Sequence, residues 1–552
     1  MTRKKTLTMK SINVVMIAGL FILLETAATA RSQGDDGIPR LRKQGTAQQL
    51  FVNGQPFLML AGELGNSSAS DPEYMRPKWT GLTKMHLNTV LVPVDWELLE
   101  PAEGTFAFGH VDSAISAARR HGLKIVFLWF GTWKNSMSCY APQWVKTDQK
   151  RFPRARTSDG SAVEIVTPFS SECMQADARA FGRLMKHIHS VDGKDHTVVM
   201  VQVENEIGMI PEARDHCPLA NDAFAGPVPS ELMATLQKGR ESLTPELLGM
   251  WRTSGFRPSG SWEEVFGKSA QAEEAFMAWH FARYTNAVAA AGKREYPLPM
   301  FVNAALVRPG YKPGQYPSAG PLPHLFDIWK AAAQEIDFLS PDIYFANFKE
   351  WCDKYPRADN PLFVPEVANS QSVANAFYIF AQHNALGYSP FAIESLDDPE
   401  HNQVARGYAV LRQLEPLITR SQGKGIMAGV LLDSTAQIER VRLGEYILTV
   451  KHEFSWQYGW RPGVDTPRVG GMVIMLAPDE FVIAGTGILV TFAPIAGENT
   501  RAGIARADEG TFVKGEWKPG RRLNGDQTHQ GRHVHLPGGA YGIQKVKLYT
   551  YR

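Results

Sequence analysis

Two carboxylates flanking an amide, Glu204-Asn205-Glu206, close an apolar run that begins at Val198, and a further carboxylate, Glu366, closes the run Pro361-Leu362-Phe363-Val364-Pro365. Strands that read as continuous Val, Ile and Leu are buried on both faces, as in parallel sheets, and parallel barrels carry their chemistry where such strands end. Two carboxylic acids facing one another across a pocket suit glycoside hydrolysis. One protonates the leaving oxygen while the other attacks the sugar or activates water. A separation of roughly 5 Å gives retention of configuration and a larger one gives inversion; the close spacing is expected here. One residue type in two roles also requires environments that split the pKa values, keeping one acid protonated and the other ionised. Glu206 and Glu366 are therefore the candidate catalytic pair. Alternation along the strand places Glu204 on the same face as Glu206 but deeper, where a structural role is expected.

These residues need a scaffold that gathers strand ends. After residue 45, Gln48 to Pro56 reads as a hairpin around Asn53-Gly54, a strong turn signal, expected to cap the bottom of the following domain. Eight strand candidates then alternate with helical stretches: Phe57 to Glu63, Asn88 to Val94, Lys124 to Phe130, Val198 to Glu206, Met300 to Leu306, Asp337 to Tyr344, Pro361 to Val367 and Gly387 to Glu394. Eight such alternations predict a (β/α)8 TIM barrel over 45–418. From 419 to 552 short strands parted by Gly, Pro and Asp, without a convincing helix, predict a smaller all-β, sandwich-like domain. In that domain Trp456, Tyr458 and Trp460 either line a sugar-binding face or belong to its core.

The barrel reading collects a substrate-binding set at the strand ends: Asn205, Tyr344, Glu63, Asn303 and Glu394, with Trp129, Trp133 and Asn135 from the third strand and its loop. Trp129 and Trp133 serve either as stacking platforms for a sugar ring or as ordinary core.

Composition excludes other classes. The formal net charge is +2 and no large basic run occurs beyond the first residues, so the electrostatic footprint of a nucleic-acid protein is missing. Residues 1–30 have the layout of a secretory signal, with Arg3, Lys4, Lys5 and Lys10, an apolar run from Val14 to Leu24, and Ala28-Thr29-Ala30. Export to the periplasm or the extracellular space is expected, with 31–44 as linker and no stable membrane insertion after cleavage. Cys139, Cys173, Cys217 and Cys352 form no Cys-x-x-Cys pair, and one or two structural disulfides are expected in an exported chain. A metal-dependent hydrolase would want paired histidines at strand ends, whereas His110, His187 and His189 fall in or beside helices.

Val201-Gln202-Val203-Glu204-Asn205-Glu206-Ile207-Gly208 resembles the acid/base motif of glycoside hydrolase family 35 β-galactosidases. Asn88-Thr89-Val90, followed by Trp96-Glu97 and Glu100-Pro101-Ala102-Glu103-Gly104-Thr105-Phe106, resembles that family's second-strand signature. The β domain resembles a module that accompanies some bacterial members, with an organisation also related to family 42. The resemblance implies a retaining clan A enzyme with Glu206 as acid/base, Glu366 as nucleophile, Asn205 on the sugar 2-hydroxyl and Tyr344 donating to the nucleophile. It implies a carbohydrate substrate and no metal or organic cofactor. The family carries an aromatic residue where this chain has Pro93, and a Glu-Trp pair where it has Trp133-Lys134-Asn135-Ser136. Those family residues hold galactose, so another β-linked pyranoside or a branched plant-polysaccharide fragment is the alternative substrate. A catalytically silent carbohydrate-binding barrel is the alternative of a different class. Linkage, exo or endo action and oligomeric state are left open.

Overall fold

The computed structural model describes residues 37–552 apart from 370, 460–465, 496 and 498. The expected signal peptide, the start of the linker and Trp460 lie outside the described residues. Eight parallel strands, each followed by a helix, close into a barrel, as the sequence predicts. The strands are β1 (Met59–Glu63), β2 (Thr89–Asp95), β3 (Lys124–Lys134), β4 (Val198–Asn205), β5 (Met300–Ala305), β6 (Phe338–Ile343), β7 (Val364–Val367) and β8 (Gly387–Pro390). The helices that follow them in turn are α1 (Lys78–Lys84), α2 (Gly109–Arg120), α3 (Ser171–Asp192), α4 (Ala270–Glu295), α5 (Phe326–Ala332), α6 (Phe348–Lys354), α7 (Ala374–Gln382) and α8 (Gln403–Ser421).

The N-terminal half of the barrel interior is filled by apolar side chains, among them Leu128, Met200, Phe301, Phe338 and Phe363, and Leu50 and Val52 of the preceding hairpin join them. The rings of Phe301 and Phe338 stack with centroids 5.3 Å apart. The hairpin thus closes the bottom of the barrel, and the polar strand ends face the other way. Arg40–Gln44, read from sequence as linker, is a strand paired with Ala47–Val52. Arg42 lies over the Phe51 ring, 4.8 Å from its centroid, so the charged residues of this segment cover apolar surface rather than leaving it solvated.

The C-terminal part folds into two antiparallel sheets. Strands β9 (Met427–Leu432), β10 (Ile438–Leu443), β11 (Tyr446–His452), β12 (Val469–Ala477), β13 (Glu480–Thr486), β14 (Ile488–Pro494), β15 (Arg501–Val513), β16 (Glu516–Arg522), β17 (His533–Leu536) and β18 (Gly542–Tyr551) form a six-stranded sheet, β9-β12-β13-β18-β15-β16, and a four-stranded one, β10-β11-β14-β17. Val430, Leu448, Phe481, Val490 and Val546, drawn from both sheets, share one core. A short helix, Glu453–Tyr458, interrupts the expected all-β pattern; the His452 side chain accepts from the Phe454 N–H and caps it.

The outer face of the six-stranded sheet packs on the barrel. Leu431, Met472, Ile474 and Val482 belong to the same core as the barrel helices, and Tyr541 stacks on Phe377 of α7 at 5.3 Å. Gly429 makes this approach feasible, because a Cβ there would lie 2.3 Å from the Tyr378 carbonyl oxygen. All four cysteines are free thiols, which corrects the expectation of a disulfide. Among the described residues no helix is long and apolar enough to cross a membrane.

Candidate active site

Seven of the eight barrel strands end in or near a polar residue that is buried or nearly so: Glu63 on β1, Asp95 on β2, Lys134 on β3, Asn205 on β4, Asn303 on β5, Asp342 on β6 and Glu366 on β7. Parallel pairing sets the register, with Asp342 opposite Glu366 and Asn303 opposite Ser340. Glu206 follows directly on β4 in left-handed backbone, φ 45°, and Glu204 within the strand is also left-handed, φ 61°. Such backbone in a non-glycine residue costs on the order of 1–3 kcal/mol and persists only where the surroundings impose it. Here the Glu206 N–H donates to Asn303 Oδ1 at 3.0 Å, the Ser136 N–H donates to the Glu206 carbonyl at 3.1 Å, and Gln202 Nε2 donates to the Glu204 carbonyl at 3.0 Å.

Asn303 completes a relay by donating from Nδ2 to Asp342 Oδ2 at 2.5 Å. On the opposite side the Tyr344 hydroxyl donates to Glu366 Oε1. What the protein leaves unpaired is informative, because buried polar atoms are almost always satisfied. Both amide atoms of Asn205, Glu366 Oε2, Glu63 Oε1 and Asp342 Oδ1 are buried without a hydrogen-bond partner among the described residues. Five polar atoms left open around one strand-end cluster suit a ligand rich in hydroxyl groups.

Charge in the cluster is strongly one-sided. Burial pushes the Glu206 carboxyl up to about 7, the Glu366 charge adds to the rise, and Lys134 opposes it. Burial and then Glu366 also hold Glu63 and Asp342 well above the usual carboxylate range. Asp95 is raised to about 7 by burial and then by Glu97. Burial and the adjoining Glu366 raise the Tyr344 phenol as well, so it stays a donor. Lys134, only 4% exposed, is the cation that lowers Glu63, Asp95, Glu206 and Asp342 alike. Its ammonium donates to Asn135 Oδ1 at 2.8 Å and lies 4.9 Å from the centroid of the Phe130 ring.

The structure thus gathers Glu206, Glu366, Asn205, Asn303, Tyr344 and Glu63 at one barrel mouth, with Asn135 at its edge. Glu394 adjoins Glu63, but its carboxylate is occupied by the Gly65 N–H at 3.0 Å and the Ser68 hydroxyl at 2.5 Å, so it anchors the loop after β1.

Trp129 and Trp133 are not at the mouth. Trp129 is fully buried, donates from Nε1 to Asp177 of α3 at 2.9 Å and packs against Phe181. Leu128 and Phe130 occupy the barrel interior, so alternation sends Trp129 outward to the helices. Trp133 donates from Nε1 to the Val166 carbonyl at 3.1 Å and lies against Phe281 and Tyr284 of α4. β3 runs on past its expected end at Phe130 to Lys134, with a register shift between Trp129 and Lys134, and Asp177 binds the Thr132 N–H and hydroxyl to hold that extension.

Glu204 corrects the alternation argument. Its left-handed backbone turns the carboxylate away from Glu206 to accept from the Trp133 N–H at 2.8 Å, beside Asp177. Burial, and then the Asp177 charge, keep the Glu204 carboxyl protonated well above its ordinary value. Gly131 is required at this crowded point, because a Cβ there would lie 2.6 Å from Glu204 Oε1.

Sequence reasoning missed Asp342 as a site residue and gave Lys134 no role at the mouth. Asp342 lies in a strand buried along its whole length, so only its partners Asn303 and Glu366 mark it. The raised pKa of Asp342 has a consequence for stability. A carboxyl whose folded pKa exceeds its unfolded value of about 3.8 contributes stability that is complete below that value and is lost as pH rises through the folded pKa. Asp342→Asn removes the buried charge while keeping an acceptor for Asn303. The variant is expected to melt about 2–5 °C above the wild type at pH 8, with the gap narrowing at pH 5. Thermal melts at the two pH values check this, and a gap independent of pH would mean that Asp342 is not an unfavourably buried charge.

Two family models match parts of the chain. The glycoside hydrolase family 42 model, described as beta-galactosidase, matches residues 69–243, which include Glu206 but not Glu366. The chain is therefore β-galactosidase-like over that segment. A domain of unknown function, DUF5597, matches residues 404–535. No match to a curated protein was found. Among solved structures, the chain is similar to the cold-adapted β-galactosidase of Rahnella sp. R3, at 15% identity and TM-score 0.44, covering 66% of this chain and 57% of that one. It is also similar to the β-galactosidase of the haloarchaeon Halorubrum lacusprofundi, at 17% identity and TM-score 0.45, with 64% and 58% covered. For Gan42B, a family 42 β-galactosidase from G. stearothermophilus, the values are 11% identity and TM-score 0.48, with 89% and 98% covered. The chain thus spans less than two thirds of the length of the first two enzymes.

Proposed function

We propose that this protein is a retaining β-glycoside hydrolase of the β-galactosidase type, removing a β-linked terminal sugar from oligosaccharides or plant-polysaccharide fragments. The observation that carries the reading is the pairing of Glu206 and Glu366 at the ends of β4 and β7. The first is raised to about 7 by burial and by the charge of the second, and the second accepts from Tyr344. In this reading Glu206 protonates the glycosidic oxygen as the Glu366 carboxylate attacks the anomeric carbon. The alcohol leaves and a glycosyl ester forms. Glu206, now a carboxylate, deprotonates the water that displaces Glu366, and two inversions give net retention. Asn205, with both amide atoms open, binds a ring hydroxyl next to the reacting carbon. Tyr344 orients Glu366, and the Asn303–Asp342 relay orients the backbone that carries Glu206.

The motif from Val201 to Gly208 favours family 35 chemistry, and the segment matched by the family 42 model is consistent with the same clan. Lys134 stands where the family 35 pattern supplies acidic and aromatic contacts, which favours a sugar-binding pattern of its own. The leader-like residues 1–30 favour export, which N-terminal sequencing of the protein from the periplasm or medium tests. A panel of 4-nitrophenyl α- and β-glycosides tests the reaction, with the anomer released followed by proton NMR. Hydrolysis of the β-galactoside with the β-anomer appearing first is expected. First appearance of the α-anomer would replace retention by inversion, and failure to cleave any member would remove the reading.

A further inference from the structure

We infer that the C-terminal β domain builds the leaving-group side of this active site: a cavity between it and the ends of β6 and β7 binds the neutral sugar residues attached to the bond that is cleaved. The inference rests on the glycosidase reading above and adds a binding site to it. The cavity measures about 930 Å³, at the upper end of the roughly 300–1,000 Å³ typical of ligand pockets. The barrel contributes Tyr344, Asn347 and Gln371, and the β domain contributes Asp433, Thr435 and Arg468. Tyr344 belongs to both sites. Its hydroxyl holds Glu366, while the residue is 44% exposed and borders the cavity, so a chain leaving the reaction centre on this side enters it directly.

The wall is built by specific contacts. Arg468 donates to the Ala346 carbonyl from one guanidinium nitrogen and to Gln371 Oε1 at 3.5 Å from another. Gln371 Nε2 in turn donates to the Ile343 carbonyl at 3.2 Å, next to Tyr344. Lys349 of α6 pairs with Glu439 of β10 at 2.9 Å. With the packing of β9 on α7, these bonds fix residues 433–436 and 466–468 against the barrel.

The lining selects the ligand class. Its two cations among the described residues are each matched by an acid, Lys349 by Glu439 and Arg468 by Asp433 at 3.6 Å, so no uncompensated positive charge waits for a phosphate or carboxylate. Hydroxyl and amide groups face the space beside the charged groups of Lys349, Glu350, Asp433 and Arg468, and the buried Thr466 hydroxyl has no partner among the described residues. Dense polar groups with balanced charge beside an exposed tyrosine ring suit uncharged sugar residues, which combine hydroxyl edges with apolar faces.

Thr435 is exposed in the turn between β9 and β10, so Thr435→Trp fills the cavity without disturbing a core; Arg468→Met is the second variant and removes the bridge itself. The readout is the ratio of kcat/KM on β-1,4-galactotetraose to kcat/KM on 4-nitrophenyl β-galactoside. That ratio is expected to fall at least tenfold in both variants. Calorimetric binding of the tetrasaccharide to Glu366→Gln protein is expected to weaken when Thr435→Trp is added. An unchanged ratio, an equal loss on both substrates, or a wild type that cleaves the aryl galactoside but neither cleaves nor binds the tetrasaccharide overturns the inference while leaving the glycosidase reading intact. A wild type that cleaves no glycoside removes both.

Discussion

Glu366→Gly is expected to lower kcat/KM on 4-nitrophenyl β-galactoside by about 10⁴-fold or more, and added azide is expected to restore turnover with the α-glycosyl azide as product. Removing the carboxylate leaves a void on one face of the anomeric carbon, next to the Tyr344 hydroxyl that had donated to Glu366. Azide is small, anionic and nucleophilic enough to use that void. It forms the carbon–nitrogen bond as the carbon–oxygen bond to nitrophenolate breaks, with a single inversion. No carboxylate remains to complete a second displacement, so the product accumulates and its anomeric coupling is read by NMR. Glycine is the informative choice because glutamine would keep the volume and exclude the ion. The outcome separates roles that the geometry alone does not. A Glu366 that served as the acid/base would instead give the β-azide, because azide would then displace the other carboxylate from a glycosyl-enzyme, and a Glu366 outside the reaction would leave the rate near that of the wild type. Tyr344→Phe should be milder, since it removes one donor to the carboxylate and not the carboxylate itself.

The barrel was legible because its signal is redundant. Eight apolar runs, each followed by a helical stretch, describe the architecture even where individual ends slip, as at β3, which continues four residues beyond the expected Phe130. Glu206 and Glu366 were legible for a related reason, each being an abrupt charge at the end of a strand otherwise buried on both faces. That same two-sided burial hid the direction of Trp129 and Trp133. When both faces are apolar, alternation gives no sign of which residues look inward, and the face is settled by tertiary partners such as Asp177 on α3, 48 residues from Trp129 along the chain. Glu204 was misplaced because period two assumes extended backbone, and the left-handed residues at 204 and 206 break it where the chemistry sits. Local rules are expected to fail at such strained sites. Asp342 was passed over because its importance comes from company, through Asn303 on β5 and Glu366 on β7, not from its own segment. The docking of the β domain is of the same kind. Gly429 reads as an unremarkable glycine until the Tyr378 carbonyl is placed against it.

Glu206→Gln should affect substrates according to their leaving groups. Oligosaccharides and alkyl galactosides, whose alkoxides leave poorly without a proton, are expected to lose about 10³–10⁴-fold in kcat/KM, within the range of general acid catalysis. A 2,4-dinitrophenyl galactoside, which needs no proton, should lose far less in the first step and then accumulate the glycosyl-enzyme, because the base for the second step is missing as well. The pH dependence provides an independent check. Glu206 must be protonated to donate, and burial and Glu366 raise its carboxyl to about 7, so wild-type kcat/KM on oligosaccharides should fall as pH rises through that value. In Glu206→Gln this limb should disappear. Lys134 opposes the rise in the Glu206 pKa, so Lys134→Met should move the wild-type limb upward, by roughly one pH unit for the loss of a nearby opposite charge. A limb that stays in place in Glu206→Gln would assign the essential proton elsewhere, with Asp95 the first alternative, since it too is raised to about 7 and faces the same lysine. A limb that moves downward in Lys134→Met would mean that the lysine acts on the substrate and not on the acid, because loss of a positive neighbour cannot lower the pKa of a carboxyl group.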